Sequence, residues 1–395
     1  MYCMFLSRLT IPYMVDFQQT AQRKYSLSNY KNLIKNIDKS LFILPLIFLS
    51  ISIVMIGSTE YEGTFAISGN ILRQFLAFDI GLIALFLFLA FDYKRFSAFE
   101  KLIYPLTLLL LLSVYTPLGS TQYGTRGWLD LGVAYLQPAE ICKVLYIVLL
   151  AIYLSKNTGK LERGINIFYC GLYVSPFIAI VILQNDLGNA LVYCFITLVM
   201  LIVAGAAYKP IGAVLFGGIV FSPVVYRILQ THQQQRIKAF FNPYDISLPG
   251  NYQVWQSKIT IGSGGFTGKG LFMGTQKQLD WLPVQESDFI FAVVVEELGF
   301  IGGIILISLL TLFLFRILKV GEAAEDSLGK LIVYGVFAML LFQIFENIGM
   351  NMGIMPVTGI TLPFISYGGS SLLTNMLALA LVLNVNMRSK LITFY

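Results

Sequence analysis

The chain alternates long apolar runs with short polar breaks. From residue 41 to the C-terminus the apolar runs reach about 18 residues or more, enough to cross about 30 Å of hydrocarbon. They predict helices over about 41–57, 74–91, 101–117, 137–155, 164–183, 189–206, 208–229, 289–315, 331–355 and 363–386. The short break at Gln184–Asn189 predicts a tight hairpin between two of them. Residues 230–288 contain no run of spanning length, and residues 1–40 are polar and basic. The apolar stretch at Met4–Leu6 is too short for a signal-peptide core. The expected fold class is all-α, a polytopic integral membrane protein of about ten transmembrane helices. Residues 1–40 would form an N-terminal tail and 41–395 a membrane domain with a large outer loop at 230–288.

Composition supports that class. The 395 residues are 57% hydrophobic and 12% charged, against about 25% charged in soluble domains. The net charge of +6 does not point to nucleic acid, because the cations fall at the ends of apolar runs. One set of connections carries Lys94, Arg95 and Lys101, then Lys156, Lys160 and Arg163, then Lys209, then Arg316, Lys319 and Lys330, then Arg388 and Lys390. The alternate short connections carry Glu60, Glu62, Arg126, Asp130 and Asp186. Cations mark the cytoplasmic side. Both termini are therefore expected in the cytoplasm, with the loop after span three and the 230–288 loop outside.

The residue inventory restricts the chemistry. The one histidine is His232, and Cys3, Cys142, Cys170 and Cys194 form no C-x-x-C pair. The cysteines read as buried small hydrophobes. No His/Cys metal site and no Ser–His–Asp triad can be built. Catalysis would rest on carboxylates, lysine, arginine or backbone groups.

Several polar positions stand out. Glu140 and Lys143 lie three apart on one helix, Glu296 and Glu297 about two turns into another, and Glu346 and Asn347 within a third. Each charge at bilayer depth costs about 2.5–3.5 kcal/mol unless paired or wetted. These groups predict a polar cavity or an ion-pair network, and the Glu140–Lys143 pair is equally well read as structural. In the outer loop, residues 262–270 hold five glycines in nine positions, which admits close approach to a ligand or simply tight turns. The spacing is not that of a nucleotide P-loop. Asp288 ends this loop just before an apolar run. It reads either as a helix N-cap or as a partly desolvated carboxylate acting as a general base. Trp128 reads as an interfacial anchor, and Arg126 beside it as an anchor or a ligand for a headgroup phosphate. The run Pro356–Ser371 holds two prolines, three glycines and three serines, which predicts a broken helix end against protein or water.

Together these stretches resemble the SEDS (shape, elongation, division and sporulation) family, to which RodA and FtsW belong. The pieces that carry the resemblance are Arg126-Gly-Trp128, Gln137-Pro-Ala-Glu140 with Lys143, Asp186-Leu-Gly188, Tyr252-Gln-Val-Trp-Gln-Ser257, the glycine-rich loop, Leu282-Pro283 with Ser287-Asp-Phe-Ile-Phe291, Glu296-Glu-Leu-Gly299, and Asn347-Ile-Gly-Met350 through Pro363–Ser371. They occur in order from about residue 41 onward. Gly274-Thr-Gln276 and the Asn-Ile-Gly-Met run look more like RodA than FtsW.

The resemblance implies a peptidoglycan glycosyltransferase that polymerises lipid II at the outer face of the cytoplasmic membrane, for cell-wall elongation and cell shape. Its implied partners are lipid II, an undecaprenyl-linked glycan and a class B penicillin-binding protein. It implies that Asp288 is the catalytic base. Arg126, Trp128, Glu140, Lys143, Gln256, Lys269, Ser366 and Ser370 are the expected substrate-binding residues. A divalent cation, Mg or Mn, is an expected aid to the pyrophosphate, with no dedicated metal ligands. The chain departs from the family pattern at Val284, Glu286 and Ser287, where Glu, His and Thr are usual, and at Gly127 and Ala139. The alternatives are a lipid II flippase drawing on the buried charges, and a scaffold for the penicillin-binding protein.

Overall fold

The computed structural model describes residues 38–61, 68–122, 124–132, 134–275 and 281–389. The predicted 1–40 tail, Cys3 and Gln276–Asp280 lie wholly or almost wholly outside them. All ten predicted spans form helices: α1 Lys39–Thr59, α2 Gly69–Ala90, α3 Glu100–Leu112, α4 Pro138–Lys156, α5 Gly164–Leu183, α6 Leu187–Val203, α7 Tyr208–Ile228, α10 Ile290–Ala323, α11 Ser327–Met352 and α12 Gly369–Ser389. The 230–288 segment adds α8 Thr231–Phe241 and α9 Asn251–Ser263. The long outer loop is therefore partly helical.

Three boundaries depart from the sequence reading. The last span starts at Gly369 rather than 363, because Pro356–Gly368 makes turns instead of helix. Helix α10 runs 34 residues, well past 315. Span three shortens to α3 with 3₁₀ turns at Tyr93–Phe99 and Ser113–Tyr115. The Gln184–Asn189 break is a tight hairpin, with Asn185 at φ 64°, a left-handed conformation that Asn tolerates. Three short strands also appear, β1 Gly119–Gln122, β2 Thr125–Asp130 and β3 Tyr135–Leu136. They form an antiparallel sheet in the order β1-β2-β3, with Ser120 opposite Trp128 and Leu129 opposite Leu136.

Burial sorts the helices into centre and periphery. In the most apolar stretch of each helix, 89% of α12 and 78% of α4 is buried, against 17% around α3. Leu102, Leu106 and Leu109 of α3 are exposed. On a soluble protein such a face would be an anomaly. On a membrane protein it meets lipid, where apolar exposure costs nothing. Cys142 and Cys170 are buried as expected, but Cys194 is exposed on the outer face of α6. A thiol gains little from burial when its surroundings are already hydrocarbon.

One helix is broken inside the bundle. Gly299 of α10 sits at φ 71°, ψ −171°, which frees backbone groups that lipid cannot satisfy. The glycine-rich loop supplies the partners. Lys269 and Gly270 donate their N–H groups to the carbonyls of Glu296 and Glu297, each at 3.0 Å. Phe300 and Ile301 donate to the carbonyls of Gly265 and Phe266, at 2.9 and 3.2 Å. A Cβ on Gly268 would stand 2.0 Å from the Glu297 carbonyl oxygen. Gly264, Gly268 and Gly299 let backbone meet backbone.

Candidate active site

Asp288 ends a turn that begins at Val284, whose carbonyl accepts from the N–H groups of Ser287 and Asp288 at 3.4 and 3.2 Å. Val284 holds φ 57°, a costly conformation for a β-branched residue. The turn is pinned from behind. Asn347 and Asn351, one helical turn apart on α11, each donate a side-chain N–H to the Asp288 carbonyl at 2.9 Å. Asn347 also donates to the Ile360 carbonyl at 2.8 Å, and the Asn351 amide oxygen accepts from the Ala292 N–H at 3.2 Å. Two amides thus tie the 284–288 turn, the 353–368 segment and the start of α10 together.

The Asp288 side chain itself takes no part in this pinning. It is not the N-cap of α10: that position is Phe289, and no side chain caps the helix. The carboxylate is half-buried and accepts one hydrogen bond, from the Ser287 hydroxyl at 3.1 Å. Gly359, at φ 76°, places its missing Cβ 3.6 Å from Asp288 Oδ2. Burial pushes the carboxyl up to about 6. The Ser287 hydroxyl and the Arg236 guanidinium pull it down, and the Glu286 carboxylate adds to the rise. A carboxylate with that affinity is ionised at neutral pH yet basic enough to take a proton in a transition state.

Ser366 joins this turn directly. Its hydroxyl donates to the Ser287 carbonyl at 2.5 Å and accepts from the Leu362 N–H at 2.8 Å. Tyr367 donates its N–H to the Glu286 carbonyl at 2.9 Å. Buried Gln74 of α2 holds the far side, donating to the Ser366 carbonyl at 3.1 Å and accepting from the Gly368 N–H at 3.3 Å.

Ser370 faces a second network. Its hydroxyl accepts from the Gln137 N–H at 3.0 Å. The Gln137 side chain donates to Asp186 at 2.8 Å, as does the Asn189 amide. Asn189 in turn accepts from Lys143 at 2.9 Å, and Lys143 pairs with Glu140 at 2.7 Å. Lys143 is completely buried, so this ion pair exists only because each charge finds partners. The sheet lies over it: a Cβ on Gly127 would stand 3.8 Å from the Gln137 amide and 3.9 Å from Asp186. Trp128 is half-buried beside it, and Arg126 is exposed, with its guanidinium 5.4 Å from the Tyr115 ring and bonded to the Val114 carbonyl at 3.3 Å.

Two expected substrate contacts are placed elsewhere. Lys269 pairs with buried Glu296 at 2.7 Å in the α10 clasp, beside Thr275. Gln256 is buried in α9 and donates to the Tyr252 hydroxyl at 3.2 Å. Among the described residues the predicted charges make separate contacts. Glu297 bonds Ser58 at 2.6 Å, and Glu346 accepts from Thr358 at 2.8 Å. Sequence reasoning missed Gln74, Arg236 and Gly359. Gln74 carried a signal, a glutamine opening an apolar run. Arg236 was one of several loop cations.

The bundle of apolar helices, with a half-buried carboxylate at one end backed by buried amides and ion pairs, defines a polytopic membrane protein. The sequence model of the FtsW/RodA/SpoVE family, described as "Cell cycle protein", matches residues 34–391. The chain is 36% identical over 370 residues to stage V sporulation protein E of Bacillus subtilis, covering 89% of this chain and 98% of the relative. It is 31% identical to the peptidoglycan glycosyltransferase MrdB of Escherichia coli, covering 91% and 95%. A solved structure of a peptidoglycan synthase complex that coordinates polymerization and crosslinking contains a chain with a TM-score of 0.77 and 30% identity, covering 89% of this chain and 97% of that one. The chain belongs to the FtsW/RodA/SpoVE family of integral membrane proteins.

Proposed function

We propose that this protein is a peptidoglycan glycosyltransferase that polymerises lipid II into glycan strands for cell-wall elongation. The observation that carries the mechanism is the Asp288 carboxylate, held by its backbone, half-buried and raised to about 6. Asp288 takes the proton from the acceptor sugar hydroxyl as that oxygen bonds to the anomeric carbon of the growing strand. The bond from that carbon to the undecaprenyl pyrophosphate breaks, and the pyrophosphate leaves with the electron pair. Desolvation serves the base, and a pre-set turn spares reorganisation. Ser366 keeps the turn in place. Ser370, Glu140 and Lys143 shape the floor beneath β2, with Arg126 and Trp128 above it towards the headgroup.

The cations at the opposite end of the bundle support placing that end in the cytoplasm and Asp288 at the outer face of the cytoplasmic membrane. The named relatives support a partner that crosslinks strands, a class B penicillin-binding protein. Among the described residues no three His, Cys, Asp or Glu side chains gather into a metal site. A Mg²⁺ or Mn²⁺ ion in this reaction would arrive on pyrophosphate oxygens and water. The flippase alternative relied on charges lining one path, and those charges belong to separate networks on α4, α10 and α11. Polymerisation of lipid II by the purified protein with its co-expressed partner tests the proposal. Wild type should give glycan strands and Asp288→Ala none at equal melting temperature. Strands from the mutant would sink the base assignment, and translocation without polymerisation would favour the flippase.

A further inference from the structure

Helix α11 carries a carboxyl side chain that the mechanism above does not use. Glu346 is fully buried and makes no ion pair among the described residues. Its Oε1 accepts from the Thr358 hydroxyl at 2.8 Å, and its Oε2 has no hydrogen-bond partner among them. Gln343, one helical turn earlier, neighbours both Glu346 and Asn347 on the helix surface. Both amide atoms of buried Gln343 and the Oδ1 of buried Asn347 are likewise unpartnered among the described residues. The charged groups of the elements packed on α11 are taken by others. Lys143 holds Glu140 on α4, Gln137 and Asn189 hold Asp186 at the start of α6, and on α10 Lys269 holds Glu296 and Ser58 holds Glu297. Lys258 of α9 stands at Gly353, about two turns beyond Glu346.

A carboxylate at that depth without a counter-ion is costly. The neutral acid avoids the cost, and it turns Oε2 into a donor beside acceptor oxygens that lack one. What Glu346 holds bears on the reacting carboxylate. Thr358 precedes Gly359, whose missing Cβ stands 3.6 Å from Asp288 Oδ2. Ile360, next along, gives its carbonyl to Asn347, which also holds the Asp288 carbonyl. From α6, a Cβ on Gly188 would stand 2.9 Å from the Thr358 carbonyl oxygen. Residues 358–360 thus form a wall beside Asp288, and Glu346 fixes the Thr358 side chain within it. We infer that Glu346 is a neutral carboxylic acid serving as a positioning residue: through Thr358 it keeps Gly359 against the Asp288 carboxylate and water away from it. This rests on the reading of Asp288 as the base. With the wall loosened, water reaches the carboxylate, its desolvation falls, and it becomes a weaker base.

Two measurements on the purified protein with its co-expressed partner test this. The first needs no catalysis. Infrared spectra at about pH 8, where ordinary carboxyls are ionised, should show a carboxylic-acid C=O band that shifts in D₂O. Wild type and Asp288→Ala should share the band, and Glu346→Gln should lose it. Identical spectra from wild type and Glu346→Gln would overturn the neutral acid. The second is the pH profile of lipid II polymerisation. Glu346→Leu and Thr358→Val should lower kcat about tenfold with KM within about twofold. The acid limb of kcat should move in both from about 6 towards about 4. Glu346→Gln, whose amide oxygen can accept from Thr358, should recover most of the kcat and of the limb. A fall in kcat with an unmoved limb would reduce Glu346 to a structural role and overturn the inference, as would wild-type kinetics in both variants. Glu346→Gln as slow as Glu346→Leu would overturn it too, because the acid itself would then be needed. If Glu346→Leu does not fold, Thr358→Val, half-buried and close in shape, decides alone. Polymerisation by Asp288→Ala would strike the base and the positioning role with it, while the infrared band would still decide the charge of Glu346.

Discussion

Residues 262–270 and 353–368 are both glycine-rich and mostly non-helical, yet the second surrounds Asp288 and the first does not. In the first, Gly264 and Gly268 meet carbonyls of α10 where no Cβ fits, and the hydrogen bonds run between backbones. In the second, Thr358 and Ile360 bond to Glu346 and Asn347 of α11, Ser366 bonds to Ser287, and Gly359 opens space at the carboxylate. Glycine content alone does not mark a ligand site. What distinguishes the two is the partner across from them: a broken helix in one case, a titratable side chain in the other.

The largest effect should come at the centre of the second segment's contacts. Asp288→Ala should lower polymerisation by about 10²–10⁴-fold, the usual contribution of a general base, with a melting temperature that approaches wild type towards pH 4. The pH dependence sharpens this. Activity should rise as pH climbs through about 6, because the base must be ionised. Stability runs the other way. The folded carboxyl binds its proton more tightly than the unfolded one, so its contribution falls as pH rises from about 4 towards about 6. Asp288→Asn should therefore melt higher than wild type above pH 6, and the gap should close towards pH 4.

The first segment should fail differently. Gly268→Ala forces a Cβ to 2.0 Å from a carbonyl oxygen at φ 81° and should cost about 3 kcal/mol in a denaturation series, while the folded fraction keeps its KM. Gly359→Ala, with 3.6 Å of room, should cost about 1 kcal/mol yet lower kcat clearly. If both variants lost stability and spared kcat alike, the contrast between the segments would collapse. Ser366→Ala removes one hydrogen bond to the 284–288 turn and one from the Leu362 N–H, should cost about 1–3 kcal/mol and should reduce kcat more than it raises KM. The smallest change is Val284→Asn, which relieves a left-handed β-branched residue and should add about 1 kcal/mol of stability, read from the melt.

The apolar runs alone determined the ten apolar helices found among the described residues, because hydrocarbon leaves the backbone few other ways to satisfy its polar groups. Asp288, Glu140 and Lys143 were legible for the same reason: charge next to or inside an apolar run is costly and therefore conspicuous. Only tertiary structure decided which charges pair. It sent Lys269 to Glu296, brought Glu297 to Ser58 and Glu346 to Thr358, set Arg236 where its charge lowers the Asp288 carboxyl, and aimed Asn347 and Asn351 at one carbonyl. Those outcomes depend on side chains tens or hundreds of residues apart meeting at hydrogen-bonding distance, and no local pattern of hydrophobicity encodes that meeting.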